Sequence, residues 1–303
     1  MDDQNKNLIF ATALSFLVIL VWFLLFPPEE PAVQPTPVTS SEAPSDPDIA
    51  LTPPSAAPEV AAAVAADSAA QAAEIPRIAI ETPRLDGSIS LLGGRVDSLS
   101  LRDYRDTLEP DSPTVQLLSP VGAPGAYYAL YGWTPGGDLT FDDVPGANTE
   151  WQVETGQTLA VGSDVVLRWE NDKGVIFRRT MSIDENYLFT VTQSVENTAD
   201  APLRMAPYGI VARHGEPDVV GFFILHEGVV RQSDQELEEI DYNDMPDMDF
   251  VEREGARASV VDVTENGWIG FTDKYWMTTL IPVSYTHLTL PTTSALCRAR
   301  WWA

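Results

Sequence analysis

Three consecutive runs with a period of two, between Val165 and Val195, most narrow what this chain can fold into. Val165, Leu167 and Trp169 alternate with Val166, Arg168 and Glu170. Val175, Phe177, Met181 and Ile183 then share one parity, with Arg179 the exception, and Tyr187, Phe189, Val191 and Val195 share one face. Successive side chains of a strand point to opposite sides, so each run reads as a half-buried strand. Asn171-Asp172-Lys173-Gly174 and Asp184-Glu185-Asn186 separate them with turn chemistry, the first carrying a glycine free to take positive φ. The pattern predicts an antiparallel meander. Shorter strand candidates are 88–92, 96–101, 127–131, 151–155, 205–212 and 258–263, punctuated by Gly93-Gly94, Pro135-Gly136-Gly137 and Pro145-Gly146. No amphipathic helix of 12 residues interrupts them, which excludes βαβ units. The expectation is a mainly β domain over residues 75–282, a twisted sandwich of two antiparallel sheets.

Upstream, Leu8 to Phe26 is an uncharged apolar run in which only Thr12 and Ser15 are polar. A helix of that length spans roughly 28 Å, close to the ~30 Å hydrocarbon core of a bilayer. It is too long for a signal-peptide core and ends in Pro27-Pro28-Glu29-Glu30 rather than in a peptidase site, so it reads as an uncleaved transmembrane signal anchor, residues 8–26. The head, residues 1–7, carries Lys6, whereas the other flank opens with Glu29 and Glu30 and has no Lys or Arg before Arg77. Positive-inside bias then places the amino terminus in the cytoplasm and everything after Pro27 outside. Residues 27–74 are Pro, Ala, Ser, Thr and acid, with too little apolar surface to offset the entropy of ordering, and read as a disordered linker.

The formal charge of −27, from 18 Lys and Arg against 45 Asp and Glu, excludes a general nucleic-acid binder. Cys297 is the only cysteine, so the domain has to be held by its core and not by disulfides. There is no G-x-S-x-G elbow, no G-x-G-x-x-G and no phosphate loop. His226-Glu227 begins like a zinc-protease motif, but Val230 stands where the second histidine belongs. Of the three histidines, His214 and His226 are the pair that a membrane-anchored, mutarotase-like sugar-active β-sandwich would use with a carboxylate. Packed or backbone-bonded imidazoles beside the apolar stretch 221–225 are the expectation, with neither a shared cleft nor mutarotation. The run from Asp234 to Glu254 has ten carboxylates and one base, Arg253. Its spacing fails a calcium loop, since Met245 and Pro246 occupy the fifth and sixth positions counted from Asp241, and it reads as a solvated loop. Trp268, Phe271, Tyr275 and Trp276 cluster around Lys274, with core packing expected and a peptide or sugar groove as the alternative. No catalytic, cofactor-binding or metal residue is assigned, and the chain is not expected to be an enzyme.

Several blocks carry more as a pattern than as chemistry. The start Met1-Asp2-Asp3-Gln4-Asn5-Lys6-Asn7-Leu8, the anchor, the Pro/Ala linker, the stretch from Gly94 to Tyr104, the segment from Gly221 to Gly228 and the stretch from Gly267 to Trp276 occur in order. Together they resemble the YidC family of Gram-negative membrane protein insertases over roughly residues 1 to 282. The resemblance implies a periplasmic β-supersandwich after the first transmembrane helix, in the bacterial inner membrane. It implies a role in inserting and folding inner-membrane proteins, with or without the Sec translocon. The implied partners are nascent inner-membrane proteins, the lipid bilayer and Sec translocon subunits, with no cofactor. In that family a later helical bundle performs insertion through a polar groove with an arginine. After Phe26 no run of 18 apolar residues occurs here, and that arginine can be carried onto no residue.

The resemblance stops at Val283. From there to Ala303 the chain has no acid, whereas the preceding 282 residues hold all 45. At that frequency such a run arises by chance about once in forty. Residues 283–303 are therefore expected to be an anomalous, non-native tail, and the whole chain an amino-terminal fragment of an insertase.

Overall fold

The computed structural model describes residues 75–198, 201–215, 217, 226–252, 254–273, 275–283, 286–291 and 295–301. The anchor and linker expected over 8–74 lie outside these residues. Alternation decides the local structure. The chain first forms β1 (Arg77–Glu81), β2 (Leu85–Ser90), β3 (Arg95–Arg105), β4 (Thr114–Leu118) and β5 (Tyr127–Gly136). Next come β6 (Gln152–Thr155), β7 (Thr158–Leu159), β8 (Val165–Glu170), β9 (Val175–Ile183) and β10 (Phe189–Asn197). The remainder is β11 (Arg204–Arg213), β12 (Gly228–Ser233), β13 (Glu236–Asp241), β14 (Phe250–Val251), β15 (Ala256–Val263), β16 (Gly267–Asp273), β17 (Trp276–Leu280), β18 (Thr286–Pro291) and β19 (Ala295–Trp301). Two 3-10 turns, Phe141–Asp143 and Met245–Asp247, are the helical pieces among the described residues.

The predicted meander is β8, β9 and β10, paired antiparallel in unbroken register from Val165↔Met181 to Glu170↔Ile176 and from Phe189↔Ile183 to Asn197↔Val175. In the turn between β8 and β9, Asn171 Oδ1 accepts from the amides of Lys173 at 3.0 Å and Val175 at 2.9 Å, and Gly174 takes φ +77°. An asparagine that bonds the backbone two residues on, followed by a left-handed glycine, makes this turn local in origin.

Two antiparallel sheets were expected, and the described residues form three. An 11-stranded sheet has the order β14-β15-β18-β19-β11-β5-β3-β2-β1-β7, with β4 joined to β3, and two four-stranded sheets have the orders β10-β9-β8-β6 and β13-β12-β16-β17. The pairing is antiparallel except for β1 with β7, which is parallel. The layers follow from the side chains of β5. Its odd residues point into the main core, where Trp133 meets Phe177 of β9 at 5.9 Å and Tyr127 meets Phe271 of β16 at 5.9 Å. Both small sheets therefore pack on one face of the large one, and the sandwich has a second layer divided in two. The even residues Tyr128 and Leu130 join Ile210, Ala212 and Ala147 in a separate cluster on the other face.

The pairing does not stop at residue 282. β18 runs antiparallel to β15 and β19 to β11, so residues of the acid-free tail occupy the middle of the large sheet, with Leu288 fully buried.

Candidate functional site

Arg179 is the exception in the alternation of β9, and it sits on the core side. It is fully buried. Its Nη1 donates to the carbonyls of Gly93 and Gly94 at 3.0 Å each, and its Nη2 donates to the carbonyl of Tyr131 at 2.6 Å. The guanidinium lies 4.5 Å from the Trp151 ring centre and 5.6 Å from that of Tyr131. Aromatic faces and carbonyl oxygens thus supply the negative field that a carboxylate would otherwise give. Burial still lowers its pKa to about 10. Gly94, at φ +61°, leaves the room: a Cβ there would stand 2.3 Å from Arg179 Nη1.

A second buried polar group lies at the start of β3. Arg77 pairs with Asp97, whose carboxyl is pushed up by burial, the arginine working against that shift. Arg95, also buried, donates to the Ala147 carbonyl at 2.6 Å and lies 5.9 Å from the Tyr128 ring centre, while its Nε finds no acceptor among the described residues. Desolvation lifts the Tyr128 hydroxyl to about 12.

His214 and His226 are not brought into a shared acid–base arrangement. His214 Nε2 is 3.1 Å from the Tyr128 hydroxyl, and burial lowers the imidazole pKa. His226 lies just before β12, beside another sheet: Nδ1 lies 3.1 Å from Asp241 Oδ1 and Nε2 lies 3.1 Å from the Val229 carbonyl. Both of its nitrogens face protein oxygens, so the ring is held by its own neighbours and is not shared with His214. The stretch 221–225 lies outside the described residues.

The acid run is corrected by the structure. Instead of one solvated loop it forms β13, a 3-10 turn and β14, anchored by buried Tyr242 and Met245. Glu238 pairs with Arg231, its cross-strand partner on β12. Asp234, at φ +53°, accepts from the Thr264 and Glu265 amides at 2.9 and 2.8 Å, which holds its pKa low. The aromatic cluster divides. Phe271 is buried between Tyr127 and Tyr242, Trp276 meets Tyr104 edge-on at 4.6 Å, and Tyr275 is 80% exposed at φ +81°. Lys274 lies outside the described residues.

One open cavity of about 510 Å³ is lined by Glu150, Gln152, Arg168, Trp169, Glu170, Asn171 and Asp172. Trp169 rests against Phe177 at 5.6 Å, and Arg168 pairs with Glu170, so its strongest groups already serve the fold.

Among the described residues, the buried arginines bond to main-chain carbonyls near the Gly93-Gly94 turn, and the two histidines are bonded separately within a mainly β frame. The profile of the YidC periplasmic domain matches residues 77–295, most of the folded part and past Val283, the expected end of the resemblance. The chain belongs to the YidC family. Relatives named membrane protein insertase YidC include that of Dinoroseobacter shibae, 66% identical over 284 residues, which covers 93% of this chain and 47% of the relative. That of Jannaschia sp. is 56% identical over 289 residues, covering 93% and 46%, and that of Ruegeria pomeroyi is 56% identical over 295 residues, covering 94% and 48%. The chain spans about half the length of the curated relatives it matches. Sequence reasoning passed over Arg95, Asp97 and Arg179 as site residues. The available signal was parity: Arg179 stands on the apolar side of its strand.

Proposed function

We propose that this chain serves the insertion and folding of inner-membrane proteins, alone or beside the Sec translocon, as the periplasmic β-rich part of a YidC-type insertase. The match of residues 77–295 to the YidC periplasmic domain carries the reading, with the insertase names of relatives up to 66% identical supporting it. In this reading residues 8–26 anchor the chain in the inner membrane with the amino terminus in the cytoplasm, and residues 27–74 tether the domain. Nascent membrane proteins and lipid are its partners, and the work it assists is the partition of apolar helices into the bilayer, not a bond-breaking reaction. The polar groove that carries out insertion would lie in a portion with further apolar spans, since no second run of 18 apolar residues occurs after Phe26.

A rescue experiment tests this. In cells depleted of their own insertase, the 303-residue chain alone should reach the membrane and fail to restore growth. Residues 1–282 joined in frame to the remainder of the Dinoroseobacter shibae relative should restore it. Failure of the joined protein where the intact relative succeeds would overturn the proposal, as would full rescue by the chain alone. The sugar-active alternative loses its support in the separate bonding of His214 and His226.

A further inference from the structure

The edges of the three sheets are not treated alike. A sheet edge presents unpaired amides and carbonyls, and proteins blunt it with charge, proline, bulges or shortness. β7 and β14, at the ends of the large sheet, have two residues each. β4 lies between Pro113 and Pro120, and five-residue β17 is followed by Pro282. β6 is four residues long, slips register against β8 and carries Glu154. β13 has four acids in six residues. β10 has the fewest of these devices: it runs nine residues without proline or bulge, its one charge is Glu196 near the end, and Phe189-Thr-Val-Thr-Gln-Ser-Val195 is uncharged. One side pairs with β9 throughout, and among the described residues no strand pairs with the other. Thr190, Thr192 and Ser194 are exposed, while Phe189, Val191 and Val195 pack toward the core and hold the strand in place.

We propose that the open edge of β10 is a docking site by strand addition for an extended, uncharged segment of another polypeptide flanked by lysine or arginine. Main-chain hydrogen bonds would supply affinity, as strand addition does elsewhere. Charge selects the occupant. Glu185 is exposed just before the strand, and at its end Glu196, 55% exposed, shares Arg178 with Glu154, two acids on one arginine, which leaves that end net negative. Of the nearby cations, Arg178 is taken by Glu154 and Glu196 and Lys173 by Asp143, while Arg84 lies over the Tyr187 ring ahead of the strand. A second copy of this chain would bring the same acids to both ends and a further −27. A basic-flanked strand meets the opposite sign at each end. The inference does not depend on the insertase reading.

The test uses the full 303-residue chain in mild detergent and a labelled peptide, Lys-Lys-Val-Thr-Val-Thr-Val-Thr-Val-Lys-Lys, read by fluorescence anisotropy. The peptide should bind and should slow amide hydrogen exchange in Phe189–Val195. Thr190→Lys with Thr192→Lys, on exposed positions, should weaken binding roughly tenfold or more. Met277→Lys on β17 should leave it unchanged, so general loss of negative charge is separated from loss of the edge. Absent binding, equal weakening by Met277→Lys, or exchange protection elsewhere than β10 would overturn the proposal. So would a concentration-dependent dimer abolished by the β10 lysines, which would make the occupant a second copy.

Discussion

Arg179 spends its charge on three main-chain carbonyls and two aromatic rings. Replacing it with leucine keeps the packing volume but strands the carbonyls of Gly93, Gly94 and Tyr131 in a dry core. Each buried acceptor left unpaired costs about 1–3 kcal/mol, so Arg179→Leu should destabilise the domain by roughly 3 kcal/mol or more. Urea unfolding followed by tryptophan fluorescence measures this, and a midpoint equal to the parent's would refute the role given to the guanidinium. The residue was half legible in the sequence. Its parity marked it as inward, but parity cannot show that the opposing turn offers carbonyls, because those come from Gly93 and Gly94, far away in the chain. The histidines flank apolar sequence, and their partners were legible unequally: His226 faces the Val229 carbonyl three residues on, whereas His214 meets Tyr128, 86 residues away and beyond any local pattern.

At the scale of elements, the 3-10 turn Phe141–Asp143 is tied to the β8–β9 turn through one carboxylate. Asp143 Oδ2 accepts from Lys173 Nζ at 2.8 Å, the Thr140 amide at 2.7 Å and the Thr140 hydroxyl at 2.8 Å. The lysine bond, then the threonine bonds, lower its pKa to about 2 from an ordinary 3.8. A depressed carboxylate contributes stability that is present above its unfolded value and is lost as pH falls through its folded value. The gap in thermal midpoint between the parent and Asp143→Asn should therefore hold steady above pH 3.8 and close as pH approaches 2. A gap that does not change with pH across that window would contradict the assignment. The strands β8, β9 and β10 were plain in the sequence because period-two alternation and turn residues are local. The acid run was misread because charge count hides an edge strand: β13 tolerates acids where water reaches them, and its anchors, Tyr242 and Met245, lie beyond its end. The number of sheets was not legible either, since splitting the second layer depends on which distant strands pair.

The whole molecule joins a strongly acidic β-sandwich to an upstream apolar run that the described residues do not include. Family membership rests on the matched domain, and function depends on which side of the membrane that domain occupies. The described part contains no cysteine other than Cys297, which makes topology directly measurable. In a Cys297→Ser background, Glu185→Cys places a thiol on the exposed turn before β10. A membrane-impermeant maleimide should label it in intact spheroplasts to the same extent as after lysis. Labelling that appears only after the membrane is broken would put the domain in the cytoplasm and contradict the periplasmic role proposed for it.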